Sequence, residues 1–111
     1  MWIKMKTVIN IYLKLDFEWD EDKRQSNLLK HGLDFEDARY FFDEPSIFKL
    51  DIRFNYGEKR YVSVGKVFNR TVVLIFSKPS LNSIRIISFR KANFRESRYY
   101  DETLKNKLEK S

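Results

Sequence analysis

Apolar residues recur along this chain with two different periods, and each change of period marks an element. Phe17-Glu18-Trp19 alternates as a short strand. Asp20 then offers a side-chain acceptor at a helix N-terminus, with Glu21 and Asp22 in the first turn where carboxylates complement the helix dipole. That helix carries few apolar residues and stops at Gly32, which tolerates left-handed backbone. Asp34 opens a second helix with Phe35, Ala38, Phe41 and Phe42 on one face, and Pro45 ends it.

From Ser46 the period becomes two. Ile47, Phe48 and Leu50 lead into Asp51, and Asn55-Tyr56-Gly57 supplies turn chemistry before Arg60-Tyr61-Val62-Ser63-Val64, a hairpin pattern. Asn69-Arg70 separates it from Thr71 to Phe76, a β-branched run apolar on both faces and therefore central in a sheet. Lys78-Pro79-Ser80 reads as a turn. In the last strand, Ser83 to Lys91, simple alternation puts Arg85, Ile87 and Phe89 on one side and Ile86, Ser88 and Arg90 on the other. Asn93 with Glu96 forms a capping-box variant that opens a C-terminal helix bearing Tyr100, Leu104 and Leu108. The order β-α-α-β-β-β-α predicts an α+β fold: a small antiparallel sheet with two N-terminal helices and a C-terminal helix packed on it.

Composition narrows the chemistry. The 111 residues include no cysteine and one histidine, which excludes thiol catalysis, Cys-ligated metals and multi-histidine sites. No metal and no cofactor is expected. Residues 1–55 hold 9 Lys+Arg and 11 Asp+Glu, a net of −2, whereas 56–111 hold 13 and 5, a net of +8. The basic half interleaves cations with aromatics from Arg90 to Tyr100, which suits a polyanion whose bases can stack. The alternative is a solvated helix whose Tyr residues pack inward. Met1 to Leu15 mixes Lys4, Lys6 and Lys14 with an apolar run too short for a membrane span, and no small-residue cleavage site follows. Thr7 to Leu15 reads as a strand or a leader, and the expected location is the cytoplasm.

His31 alone has an ordinary pKa near neutrality, so acid–base chemistry looks to it first, and its last-turn position should favour the protonated form. Its competing role is to finish the helix. Lys30 beside it is a possible phosphate contact. Arg53, Glu58 and Arg60 flank the hairpin turn, and Arg85 and Arg90 lie on the last strand. Such a cluster suits metal-free RNA cleavage, in which a base activates the 2′-hydroxyl and guanidinium groups stabilise the crowded phosphate. The plainer alternative pairs Arg53 and Arg60 with Asp51 and Glu58 in surface ion pairs of little energetic value.

In this order the motifs resemble the BrnT family of toxins from type II toxin–antitoxin modules. The first block is Phe17-Glu18-Trp19-Asp20, Lys23, Asn27, Lys30-His31-Gly32 and Phe35-Glu36-Asp37-Ala38 with Phe42 and Pro45. The second runs through Asp51, Arg53, Tyr56-Gly57-Glu58, Arg60 and Gly65, and the third through Arg85-Ile86-Ile87-Ser88, Arg90-Lys91-Ala92, Glu96 and Tyr100. Phe89 departs from the family pattern, which commonly has a small residue there. The resemblance implies a RelE-like ribonuclease that inhibits translation and is neutralised by a BrnA-like ribbon-helix-helix antitoxin, with operator DNA bound only through that antitoxin. His31, Arg53, Glu58, Arg60 and Arg90 match polar positions of the family pattern and are assigned as the catalytic set, their roles inferred from chemistry, with Lys30, Arg85, Ser88 and Lys91 as the RNA-binding set. Residues 1–15 are expected to be an N-terminal extension and 16–111 a single toxin domain. An inactive homologue that only binds antitoxin or operator is the competing reading.

Overall fold

Capping side chains fix the helix ends where the sequence offers them. In the computed structural model, which describes residues 4–6, 15–53 and 55–110, Asp20 Oδ1 accepts from the backbone N–H groups of Asp22 (2.9 Å) and Lys23 (3.2 Å). They open helix α1 (Glu21–His31), which closes on Gly32 at φ 71° with its N–H donating to the Leu28 carbonyl. Asn93 and Glu96 exchange reciprocal side-chain to backbone bonds of 2.8 and 2.9 Å at the start of helix α2 (Phe94–Lys110). This is the capping box the sequence predicts.

Between them, Phe35–Asp43 is a 3₁₀ helix and not an α-helix, with Asp34 accepting from the Glu36 N–H at 3.0 Å. Its buried Phe35, Ala38 and Phe41 recur every third residue, the period at which 3₁₀ side chains eclipse. Phe41 lies directly on the sheet at Gly65, where a Cβ would come within 2.7 Å of the ring.

The sheet has six strands in the order β1-β3-β4-β5-β6-β2, namely Lys4–Lys6, Ser46–Asp51, Arg60–Val67, Arg70–Ser80, Ser83–Lys91 and Asp16–Glu18. Strand β5 is central, as its two-sided apolar run predicts. Three expectations change. The sheet is mixed, because β2 pairs parallel to β6, Phe17 opposite Ile84; a three-residue strand has no sequence feature that selects its partner. Lys78-Pro79-Ser80 continues β5 and the turn falls at Leu81-Asn82, Pro79 being tolerated where the register slips between Ser77 and Ser80. A further register shift near Ile87 breaks the alternation of β6, so Arg85 opposes Ser77, Ser88 opposes Ile75 and Arg90 opposes Val73, all on one face. Of the Thr7 to Leu15 segment, residues 7–14 lie outside the described residues, while Lys4–Lys6 pair with Ser46–Phe48 at the sheet edge.

The two faces are covered differently. The 3₁₀ helix packs on one, over Val72, Leu74, Phe76, Ile86 and Phe89. On the other, α2 covers Ile47, Val64 and Val73 through Tyr100 and Leu104, and the Tyr100 hydroxyl donates to the Pro45 carbonyl at 2.6 Å. Burial with nearby Glu44 and Asp101 pushes the Tyr100 pKa up to about 12, so it remains a donor. Past α2 this second face turns polar. No helix among the described residues is long and apolar enough to cross a membrane.

A polar row across the open sheet face

Strand register lines up one row of side chains across the open face. Asp51 on β3 opposes Arg60 on β4, Arg60 opposes Ser77 on β5, Ser77 opposes Arg85 on β6, and Arg85 opposes Glu18 on β2. Directly opposed residues share a face, so two cations stand in a row closed by carboxylates at both ends. Glu58, from the β3–β4 loop, enters between the arginines. Its Oε2 accepts from Arg85 Nη1 at 2.9 Å, and its Oε1 lies 3.8 Å from Arg60 Nε. Arg85 also reaches Glu18 at 3.3 Å.

Arg53 pairs with Asp51 in a fork of 3.0 and 2.9 Å, and the Tyr56 hydroxyl donates to the same carboxylate at 3.2 Å. These contacts, the Arg53 fork first, hold the Asp51 carboxyl well below the ordinary range. The ion-pair alternative therefore describes Arg53 as a hydrogen-bonded fork, and Arg60 only as a long 3.8 Å contact with Glu58.

Arg60 is different. Its guanidinium lies 4.0 Å above the Tyr56 ring, makes no hydrogen bond to a carboxylate among the described residues, and leaves Nε buried without a partner. Ser77 Oγ, directly across the β4–β5 pair, is also buried and unpartnered. A buried polar atom without a hydrogen-bond partner is costly in a native fold, and water or a shift of the Arg60 side chain that brings an acceptor within reach offsets that cost. Ser77 was not legible as part of this site, since nothing separates it in sequence from other strand serines.

The remaining candidates gather elsewhere. Arg90 is four residues further along the sheet, about 13 Å at the strand rise. Its Nη1 and Nη2 form a fork with Glu96 at 2.9 and 2.8 Å, which raises the arginine pKa and lowers that of Glu96. His31 approaches this end from α1, with exposed Lys30 beside it. Burial first, then the positive charges of Lys30 and Arg90, lowers the His31 pKa. The helix-dipole expectation of a favoured imidazolium is thus reversed, because burial, helped by the two nearby cations, disfavours the charged ring. Ser88 lies between the two clusters on the same face, opposite Ile75. Lys91 opposes Val72 and so belongs to the face of the 3₁₀ helix, apart from the others.

Sequence reasoning missed the residue that docks α1. Asn27 is 8% exposed and completes the edge of β6 where β2 ends, donating to the Phe89 carbonyl at 2.7 Å and accepting from the Phe89 N–H at 3.1 Å. Its signal was an amide in the middle of a helix with few apolar residues to bury. A groove of about 270 Å³ lined by Leu28, Leu33, Phe68 and Arg70 includes none of the predicted site residues. Among the described residues no group of three or more His, Asp or Glu is arranged to hold a metal ion.

The His31 environment makes a testable statement. A histidine whose pKa is lowered on folding resists a proton that the unfolded chain accepts, so stability falls as pH drops through the ordinary histidine range, roughly pH 7 to pH 5. Urea denaturation at both ends of that window should show a smaller loss for His31→Gln than for the parent. Equal losses would mean that burial and the nearby cations do not oppose protonation of His31.

The family described as "ribonuclease toxin, BrnT, of type II toxin–antitoxin system" matches residues 19–96, a span that includes both clusters except Glu18. The chain belongs to the BrnT family. It is similar to the crystal structure of the Brucella abortus ribonuclease toxin BrnT, at TM-score 0.55 and 29% identity over 72% of this chain and 99% of that one. No curated protein is significantly similar to it. Membership in a type II family implies a protein antitoxin as partner. The polar row and the His31 end both lie in the sheet and helices of this BrnT-family domain.

Proposed function

We propose that this BrnT-family protein cleaves RNA at the Arg60 end of the open sheet face and thereby inhibits translation in the cytoplasm. The observation that carries the reading is the Arg60 guanidinium, which reaches Glu58 only through a long 3.8 Å contact at Nε and makes no hydrogen bond to a carboxylate among the described residues. A phosphate oxygen is the acceptor that a guanidinium fits best, by two parallel N–H bonds. Glu58, held by Arg85, stands beside it as the general base.

The 2′-hydroxyl proton passes to Glu58, the 2′ oxygen bonds to phosphorus, and the 5′ oxygen leaves and takes a proton from water. A 2′,3′-cyclic phosphate and a free 5′-hydroxyl result. Arg60 faces the charge that develops on the non-bridging oxygens. Arg85 orients the base and Arg53 fixes Asp51. His31, Lys30 and Arg90 lie too far along the strands to share that phosphate, so they contact a flanking nucleotide together with Ser88. Lys91 has no part in this contact.

A BrnA-like antitoxin with a ribbon-helix-helix domain neutralises the toxin and carries it to operator DNA. Its toxin-binding segment, acidic and apolar, suits a half-chain of net charge +8. The RelE-like fold and the division into a 1–15 extension and a 16–111 toxin domain belong to the same reading.

The test is cleavage of bare RNA by the purified chain in excess chelator, with product ends analysed. Cyclic phosphate and 5′-hydroxyl ends are expected. Cleavage abolished by the chelator and restored by magnesium would overturn the mechanism, and no cleavage at full folding would favour the inactive homologue.

A further inference from the structure

We infer that Tyr56 is a positioning residue, which holds the Arg60 guanidinium face-on and aims its nitrogens at the phosphate. The inference rests on the ribonuclease reading above and adds to it a residue that acts through its ring and not as an acid or base.

Three contacts carry it. The Arg60 Cζ stands 4.0 Å from the centre of the Tyr56 ring, within the range of a cation–π contact. The ring is itself anchored, because its hydroxyl donates to Asp51 at 3.2 Å and Asp51 is forked by Arg53. Asp51 in turn is the register partner of Arg60, so the clamp closes on the strand that bears the arginine. A carboxylate in the same place would hold Arg60 more tightly, but it would occupy the nitrogens that a phosphate needs. An aromatic face holds the cation while leaving its in-plane N–H groups unspent. This accounts for the contrast with Arg53, Arg85 and Arg90, each hydrogen-bonded to a carboxylate.

Variants separate the ring from the hydroxyl. Tyr56→Leu should lower kcat for RNA cleavage by about 10- to 100-fold, the scale for misplacing a group by about an ångström, with a smaller change in KM. Tyr56→Phe keeps the ring but loses its anchor on Asp51, so its kcat should fall between those of the parent and Tyr56→Leu. In an Arg60→Ala background Tyr56→Leu should cost nothing more, because the residue acts through Arg60. Equal losses in both backgrounds, or an unchanged kcat in Tyr56→Leu, would overturn the inference.

NMR of the Arg60 Nε–H supplies a readout independent of cleavage. The ring current should shift this proton upfield in the parent and in Tyr56→Phe, and the shift should vanish in Tyr56→Leu. No shift in the parent overturns the contact itself. A shifted proton in a folded parent that cleaves no RNA would locate the failure in the ribonuclease reading and reduce Tyr56 to a structural clamp.

Discussion

Arg60→Ala is expected to lower kcat for RNA cleavage by about 10²–10³, the cost of removing one preorganised donor from a developing charge. Folding should change little, because the side chain gives up one cation–π contact worth about 1 kcal/mol and a long 3.8 Å ion pair with Glu58 of little energetic value. Arg60→Lys should recover little of the activity, since an ammonium cannot make two parallel bonds to a phosphate. Arg90→Ala provides the contrast. Its fork to Glu96 ties β6 to the first turn of α2, so its loss should appear mainly as a lower Tm with a smaller fall in kcat. Single-turnover kinetics on one RNA, beside thermal melts of the same three variants, would decide the matter. An Arg60→Ala protein with parental kcat would remove the phosphate from this end of the sheet, and a larger loss in Arg90→Ala would move it toward His31.

The two clusters explain what could be read from the sequence and what could not. Asp20, Gly32, Asp34 and the Asn93–Glu96 pair act within three or four residues of themselves, so local pattern was enough to find them. The three-residue recurrence of Phe35, Ala38 and Phe41 was also present, but Phe42 beside it fits an α-helical face equally well, and the distinction lies in packing against Gly65. Long-range choices left no such trace. The parallel seat of β2 depends on where α1 returns the chain, and the irregularity in β6 inverts the side on which Arg85 should appear.

Site residues divide in the same way. Arg, Glu and His were identifiable as types able to handle a phosphate, and Arg60, Glu58 and Arg85 do meet. What sequence could not supply was which cation is already engaged. Glu96 was visible as a capping residue, yet its carboxylate also accepts the fork from Arg90, a pairing fixed by the approach of α2 to β6. Arg53 likewise serves Asp51. Tyr56 and Ser77 gain meaning only from what stands across the strand from them.

Asn27 is where a loss of stability should be largest. Asn27→Leu fills a similar volume but leaves the buried N–H and carbonyl of Phe89 without partners, together with the Leu33 carbonyl that Asn27 Nδ2 meets at 3.1 Å. At about 1–3 kcal/mol for each of the two fully buried Phe89 groups, a loss of roughly 2–6 kcal/mol is expected, read from urea denaturation. Asn27→Asp tests the same geometry through charge. It keeps the acceptor for the Phe89 N–H but turns a carboxylate toward two carbonyl oxygens, so it should be strongly destabilised at neutral pH. Burial raises the pKa of such a carboxyl, and once protonated it can donate to one carbonyl again. The stability gap to the parent should therefore narrow as pH falls from about 7 to 5, the opposite of the trend for His31. A gap independent of pH, or an Asn27→Leu protein within about 0.5 kcal/mol of the parent, would mean that α1 is held to β6 by other contacts. If the bonds do hold it, Asn27→Leu should also loosen the end of α1 and disturb His31 and Lys30 before it disturbs Arg60, because only the first pair is carried by that helix.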